Sequence, residues 1–186
     1  MLIYKVKGRL RALYYSLTRK LSIRILGSNP KIFGAKYMKM TNCSIGDNCW
    51  IQAVDKYKTQ NFTPEIIFGE NVMMSCNVHI SAVKKIDIGD NVLLGSNIYI
   101  GDHSHGSTRP AKYEAHIPPA SRDLDDIAEI KIGNNIWVCD NVVILAGTSV
   151  GKGSIIAANS VVKGHFEENS LIAGNPARFI RKLTNG

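Results

Sequence analysis

An apolar side chain returns every sixth position through most of this chain. The clearest run lies at Ile132, Val138, Ile144, Val150, Ile156 and Val162. The same frame holds upstream at Ile88, Leu94 and Ile100, at Phe68, Met74 and Ile80, and at Ile45 and Ile51. Every one of these positions is apolar, and Gly follows at 46, 69, 89, 95, 101, 133 and 151. An amphipathic α-helix needs apolar residues at alternating spacings of three and four, which this frame lacks. A six-residue period instead describes short strands, each sending an aliphatic side chain inward, with a small residue at the corner that follows. One hexad cannot bury its apolar face alone, so neighbouring turns must stack to form a core. Three hexads make an 18-residue coil, the interval from Ile132 to Val150. Ile45, Phe68 and Ile88 stand farther apart, which predicts small insertions in those coils.

The frame is interrupted between Ile100 and Ile132 by a stretch rich in Pro and charge, which predicts a protruding loop over 102–130. Loops of that length inside a compact domain are usually functional. After Val162 the frame stops, and GHFEENSLIAGNPARFIRKL predicts a turn, a short strand and a basic tail. Residues 1–40 differ in kind. Leu10, Leu13, Tyr14, Leu17 and Leu21 recur at helical spacing among Arg9, Arg11, Arg19, Lys20 and Arg24. They predict a basic amphipathic helix, broken at Gly27 and Pro30. Two roles stay open for it: capping the end of the stack, or lying on a membrane surface through residues 5–24. The predicted organisation is thus a helical segment over 1–40 and a hexad domain over 41–186.

The chain has 186 residues, 45% of them hydrophobic and 20% charged, a balance that suits one folded domain. No run approaches the roughly 18 apolar residues that span a bilayer. The opening MLIYKVKGRLRALYY lacks the apolar core and cleavage site of a signal peptide, which predicts a cytoplasmic protein. Cys43, Cys49, Cys76 and Cys139 form no CxxC pair and read as small buried hydrophobes. The net charge of +8 implies an anionic partner without naming it. Nucleic acid would need basic residues interleaved with exposed aromatics, a pattern not found here.

The segments IWVCDNVVILAGTSVGKGSII, AANSVVKG and AGNPARFIRK, together with DHSHGS at 102–107, resemble the hexapeptide-repeat acetyltransferases. DHSHG is similar to the motif of bacterial members that decorate capsule, O-antigen and exopolysaccharide sugars. The resemblance implies a mainly β chain folded as a left-handed parallel β-helix; the hand comes from the resemblance alone, since parallel crossovers are normally right-handed. It also implies a homotrimer with active sites between neighbouring chains, acetyl-CoA as acyl donor and a saccharide acceptor. His103 matches the family's catalytic His, and Asn77 matches an Asn that helps hold the acceptor. Asp140 and Ala158 stack in one column along the cofactor groove, while Lys163, Gly164, Arg178 and Arg181 match positions at the nucleotide end. At 163–164, where relatives often read Thr-Lys, this chain reads Lys-Gly.

Moving acetyl from a thioester to a hydroxyl requires a base for the hydroxyl proton and a donor for the developing oxyanion. Neutral imidazole is the natural base, and the chain offers His79, His103, His105, His116 and His165. His103 sits where the hexads give way to the long loop. In an extended backbone His103 and His105 share a face, which puts His105 beside the acceptor, and Asp102 points away. His79, His103 and His105 do not have the spacing of the zinc-dependent carbonic anhydrases built on this scaffold, so no metal site is expected. Cys139 is an alternative nucleophile, although the hexad merely wants a small residue there. N-acetylation of a nucleotide-linked amino sugar, a carbonic anhydrase-like activity and a non-catalytic binding module are the competing functions.

Overall fold

The computed structural model describes residues 2–183, with the side chain of Leu2 excepted. It is mainly β, with one α-helix, α1 (Leu2–Arg19), and three parallel sheets. The chain visits the sheets in a fixed cycle. It enters the first sheet at Ile23–Leu26, the second at Lys31–Phe33 and the third at Met38–Thr41, then returns to the first at Cys43–Ile45. Later passes keep this order, so each hexad pairs with the hexad one coil away. Ile132 pairs with Val150, Val138 with Ile156 and Ile144 with Val162, the 18-residue interval of an uninterrupted coil.

Every hexad position read from the sequence is buried, with exposure of 5% or less. A second inward position lies two residues earlier in each hexad, at Val72, Val78, Ile86, Val92 and Ile98 among others. The corners have their own chemistry. Asn77, Asn97 and Asn141 adopt left-handed backbone (φ 59, 58 and 58°), which Asn tolerates better than other non-glycine residues. Their side chains form a ladder, Asn77 Nδ2 donating to Asn97 Oδ1 at 3.0 Å and Asn97 Nδ2 to Asn141 Oδ1 at 3.1 Å. The Gly after each aliphatic residue answers a different need, close approach between coils. At Gly133 a Cβ would lie 2.8 Å from the backbone N of Lys152.

Two expectations are corrected. The helix ends at Arg19, ahead of Gly27 and Pro30, because Lys20 turns to φ 56° and Ser22–Leu26 alternates in the manner of a strand. Leu21 is buried beyond the helix, and Leu26, Ile32 and Met40 stack on Ile45, Ile51 and Phe68, adding a coil ahead of Ile45. Second, Ile45 stacks on Met74 and Phe68 on Ile88, so Ile45 and Phe68 belong to different sheets. The extra length in that coil is an antiparallel hairpin, Lys56–Tyr57 with Gln60–Asn61.

Between Gly101 and Ile130 the chain leaves the sheets and forms a second antiparallel pair, Ser104–His105 with Leu124–Asp125. The two excursions are tied together. The Gln60 side chain donates to Leu124 O at 3.0 Å and accepts from Leu124 N at 2.8 Å, and Lys58 Nζ donates to Arg122 O at 2.8 Å. After the last pass, Ala177–Lys182 turns back antiparallel along Ser170–Gly174. Among the described residues no helix is long and apolar enough to cross a membrane.

Candidate active site

Asp102 and His103 lie where the second sheet's Tyr99–Gly101 strand gives way to the long excursion. Asp102 is fully buried. Its carboxylate accepts from the backbone N–H groups of Val83, Lys84 and Lys85 at 2.9, 2.8 and 2.9 Å. Its Oδ1 also lies 2.9 Å from His103 Nδ1. A carboxylate at that nitrogen holds the proton on Nδ1 and leaves the Nε2 lone pair as the basic site. Asp102 was expected to point away from His103. The ring of His103 turns back onto it instead, because His103 precedes the Ser104–His105 strand and the alternation of an extended chain does not govern it.

His105 is exposed on that strand, its Nδ1 3.3 Å from the Tyr57 hydroxyl and its ring edge-on to Tyr57. His79 takes a different place. Its ring stacks on Trp50 at 4.4 Å and meets Tyr99 edge-on at 5.3 Å. Burial holds His79 below the usual imidazole range, and the charges of His103 and Lys31 push the same way. Trp50 Nε1 and His79 Nε2 are buried with no hydrogen-bond partner among the described residues. No group of three His, Cys, Asp or Glu side chains is placed to hold a metal ion among those residues. Burial pushes the Cys139 thiol up, with Asp140 adding to it, which disfavours the thiolate a nucleophile needs.

The remaining candidates fall on two corners of the coil. Lys163 and Gly164 follow the second sheet, on the same edge as His103. They line a groove of about 560 Å³ with Ala146 and Gly147 from the coil and Thr108 and Arg109 from the excursion. Asp140, Ala158 and Asn77 sit at the other corner, between the first and second sheets. Asp140 and Ala158 are one coil apart there, with Asn159 N donating to Asp140 O at 3.1 Å. The Asp140 carboxylate accepts from Ser96 N at 2.6 Å, and Asn77 belongs to the Asn ladder. Arg178 lies opposite Ala173 and Arg181 opposite Leu171 on the returning strand. Neither has a carboxylate within 4 Å among the described residues. One chain therefore presents these candidates at two corners separated by the width of the second sheet, with Arg178 and Arg181 apart on the returning strand.

Residues 129–164 match the bacterial transferase hexapeptide model, described as six repeats. The chain is similar to the hexapeptide-repeat transferases over this stretch. It is 40% identical over 122 residues to the putative lipopolysaccharide biosynthesis O-acetyl transferase WbbJ of Escherichia coli, covering 64% of this chain and 62% of that protein. Galactoside O-acetyltransferase of the same organism is 29% identical over 147 residues, covering 76% of this chain and 64% of that one. The chain thus spans less than two thirds of the length of these relatives. A solved hexapeptide-repeat acetyltransferase from Vibrio cholerae, VCA0836 complexed with acetyl coenzyme A, superposes with a TM-score of 0.62 at 25% identity. That match covers 98% of this chain and 85% of the other.

Sequence reasoning missed part of this candidate site. Asp102 was dismissed by an alternation rule that stops at the end of a strand. Tyr57 and Gln60 lie in the coil of excess length, and their partners in the other excursion have no sequence signal. Trp50 and Tyr99 each stand one residue before an inward Ile of the hexad frame, so their outward stacking on His79 was readable from strand alternation.

Proposed function

We propose that this protein transfers an acetyl group from acetyl-CoA to a hydroxyl of a sugar, in a surface polysaccharide or its precursor, with His103 as general base. The observation that carries the reading is the Asp102–His103 pair at one edge of the coil, with the Lys163–Gly164 groove on that same edge. His103 Nε2 takes the hydroxyl proton as the sugar oxygen attacks the thioester carbonyl. The carbon–sulfur bond then breaks, and the imidazolium returns its proton to the departing thiolate. His105, beside a cleft of about 530 Å³ lined also by Tyr113 and Arg122, faces the acceptor. The names of the WbbJ and galactoside O-acetyltransferase relatives favour an oxygen acceptor on a sugar. The coil is read as left-handed, with the family.

The division between two corners favours a homotrimer, in which the His103 edge of one chain meets the Asn77–Asp140–Ala158 edge of the next. An outward apolar column on the first sheet supplies a surface for it. Met73, Leu93 and Trp137 are 44%, 39% and 49% exposed and stand on successive coils. Such a column is costly to leave in water. Trp137→Glu is expected to yield monomers by analytical ultracentrifugation and to abolish activity; a trimeric, active variant would move the interface elsewhere. Arg178 and Arg181 then serve the nucleotide end of acetyl-CoA. Phosphate contacts bind ground and transition states alike, so Arg178→Ala with Arg181→Ala raises the Michaelis constant for acetyl-CoA by about fivefold to tenfold with little change in turnover.

The direct test is release of CoA thiol from acetyl-CoA with a panel of mono- and oligosaccharides, the product checked by mass spectrometry for one added acetyl group. Acetylation of an amino sugar nitrogen with no reaction at any hydroxyl would replace this reading.

A further inference from the structure

Helix α1 has two apolar faces, and the fold uses only one. Gly8 and Ala12 are buried against the first coil, where a Cβ on Gly8 would lie 2.9 Å from Ile25 Cγ2. From the same side Arg11 Nε donates to Leu26 O at 3.0 Å and Arg19 Nη1 to Ile32 O at 2.6 Å. Those carbonyls belong to the first coil's own strands, so this face closes the end of the stack. At 100° per residue, Ile3, Val6, Leu10, Leu13, Tyr14 and Leu17 fall in one stripe opposite Gly8 and Ala12. They are 48–75% exposed. Capping explains none of them.

Charge identifies what covers this stripe. The first 46 residues hold ten Lys or Arg and no Asp or Glu. The rest of the chain holds thirteen basic and fifteen acidic residues, so the net +8 divides into +10 and −2. Lys5, Lys7, Arg9, Lys20 and Arg24 are all exposed. The nine ion pairs among the described residues include none of them. A second copy on this face would bring two such clusters together and repel it. An anionic lipid surface satisfies both the apolar stripe and the basic residues beside it.

We propose that the outward stripe of α1 docks the protein in the plane of an anionic membrane surface. The apolar side chains enter the headgroup–acyl boundary, and the basic residues meet lipid phosphates, each adding about 1 kcal/mol near the surface. The N-terminal end of the coil stack then faces the lipid. This docking does not depend on the acyl-transfer reading.

Flotation with phosphatidylglycerol-containing vesicles and with pure phosphatidylcholine vesicles tests it on the full chain. The wild type is expected to float with the anionic vesicles, to release at high salt, and to stay behind with the neutral ones. Leu10→Ser, Leu13→Ser and Leu17→Ser combined should cut the bound fraction about tenfold, as should Lys5→Glu, Lys7→Glu and Arg9→Glu combined. Melting temperature and sedimentation should stay at wild-type values, since every residue of both sets is exposed. Absence of wild-type binding, equal binding to neutral vesicles, or full binding by the serine variant would overturn the proposal. A serine variant that changes oligomeric state would assign the stripe to another copy and overturn it as well.

Discussion

Replacing His103 with Ala is expected to lower turnover by about 10²–10⁴-fold while the Michaelis constant for acetyl-CoA stays nearly unchanged. The expectation follows from geometry. The Asp102 carboxylate at Nδ1 favours the tautomer with a free Nε2, so in the proposed transfer Nε2 would accept the hydroxyl proton. Removing that acceptor acts on the transition state and leaves the groove around Lys163 and Gly164 intact. A His with a merely structural role would behave differently: its loss would lower the melting temperature and cofactor affinity together. His105→Ala is the control, and it should keep substantial activity because His105 is held at Tyr57, away from Asp102. A fast His103→Ala with a dead His105→Ala would move the base to His105. If both stay fast, base catalysis from this motif is wrong.

Much of the coil was legible because its determinant is local and repeated. Ile80, Ile100 and Ile144 follow one another down the second sheet, and each is fully buried. Position in the frame dictates burial at every pass, so a one-dimensional pattern carries three-dimensional information. The signal was weaker in the first coil, where Leu26 and Ile32 keep the six-residue interval, Met40 breaks it, and all three adjoin a region dominated by the helical spacing of Leu10 to Leu21. Both patterns are real, and they meet at Lys20.

The candidate site was legible only as a set of residue types. His103 stands out at the end of a repeat, but what orients it comes from elsewhere in the chain. The Asp102 carboxylate gathers the backbone of Val83, Lys84 and Lys85 from the preceding coil. The excursion after His103 is held by Tyr57, Lys58 and Gln60 from a different insertion. Contacts between two insertions obey no period, so no pattern in the chain announces them.

Asp102 is expected to show the second large effect, and two substitutions separate its two duties. Asp102→Ala removes the acceptor for three backbone N–H groups, one of them in a fully buried bond and two in part-buried ones. At about 1–3 kcal/mol for each stranded donor, discounted where water can reach, the loss is about 3–5 kcal/mol. For a chain of this length that lowers the melting temperature by about 10 °C or more. Asp102→Asn with its nitrogen in place of Oδ1 keeps the bonds from Lys84 N and Lys85 N and strands only Val83 N, so its melting temperature should fall less than that of Asp102→Ala. Its amide nitrogen is a donor, however, and a donor facing His103 Nδ1 moves the ring proton to Nε2. The base is then lost without loss of fold, and turnover should drop by about 10²–10⁴-fold. The diagnostic is therefore a folded Asp102→Asn variant that binds acetyl-CoA normally and turns over slowly. A folded Asp102→Asn variant with wild-type turnover and an unchanged pH profile would leave Asp102 a structural role alone, as the clasp between the two coils.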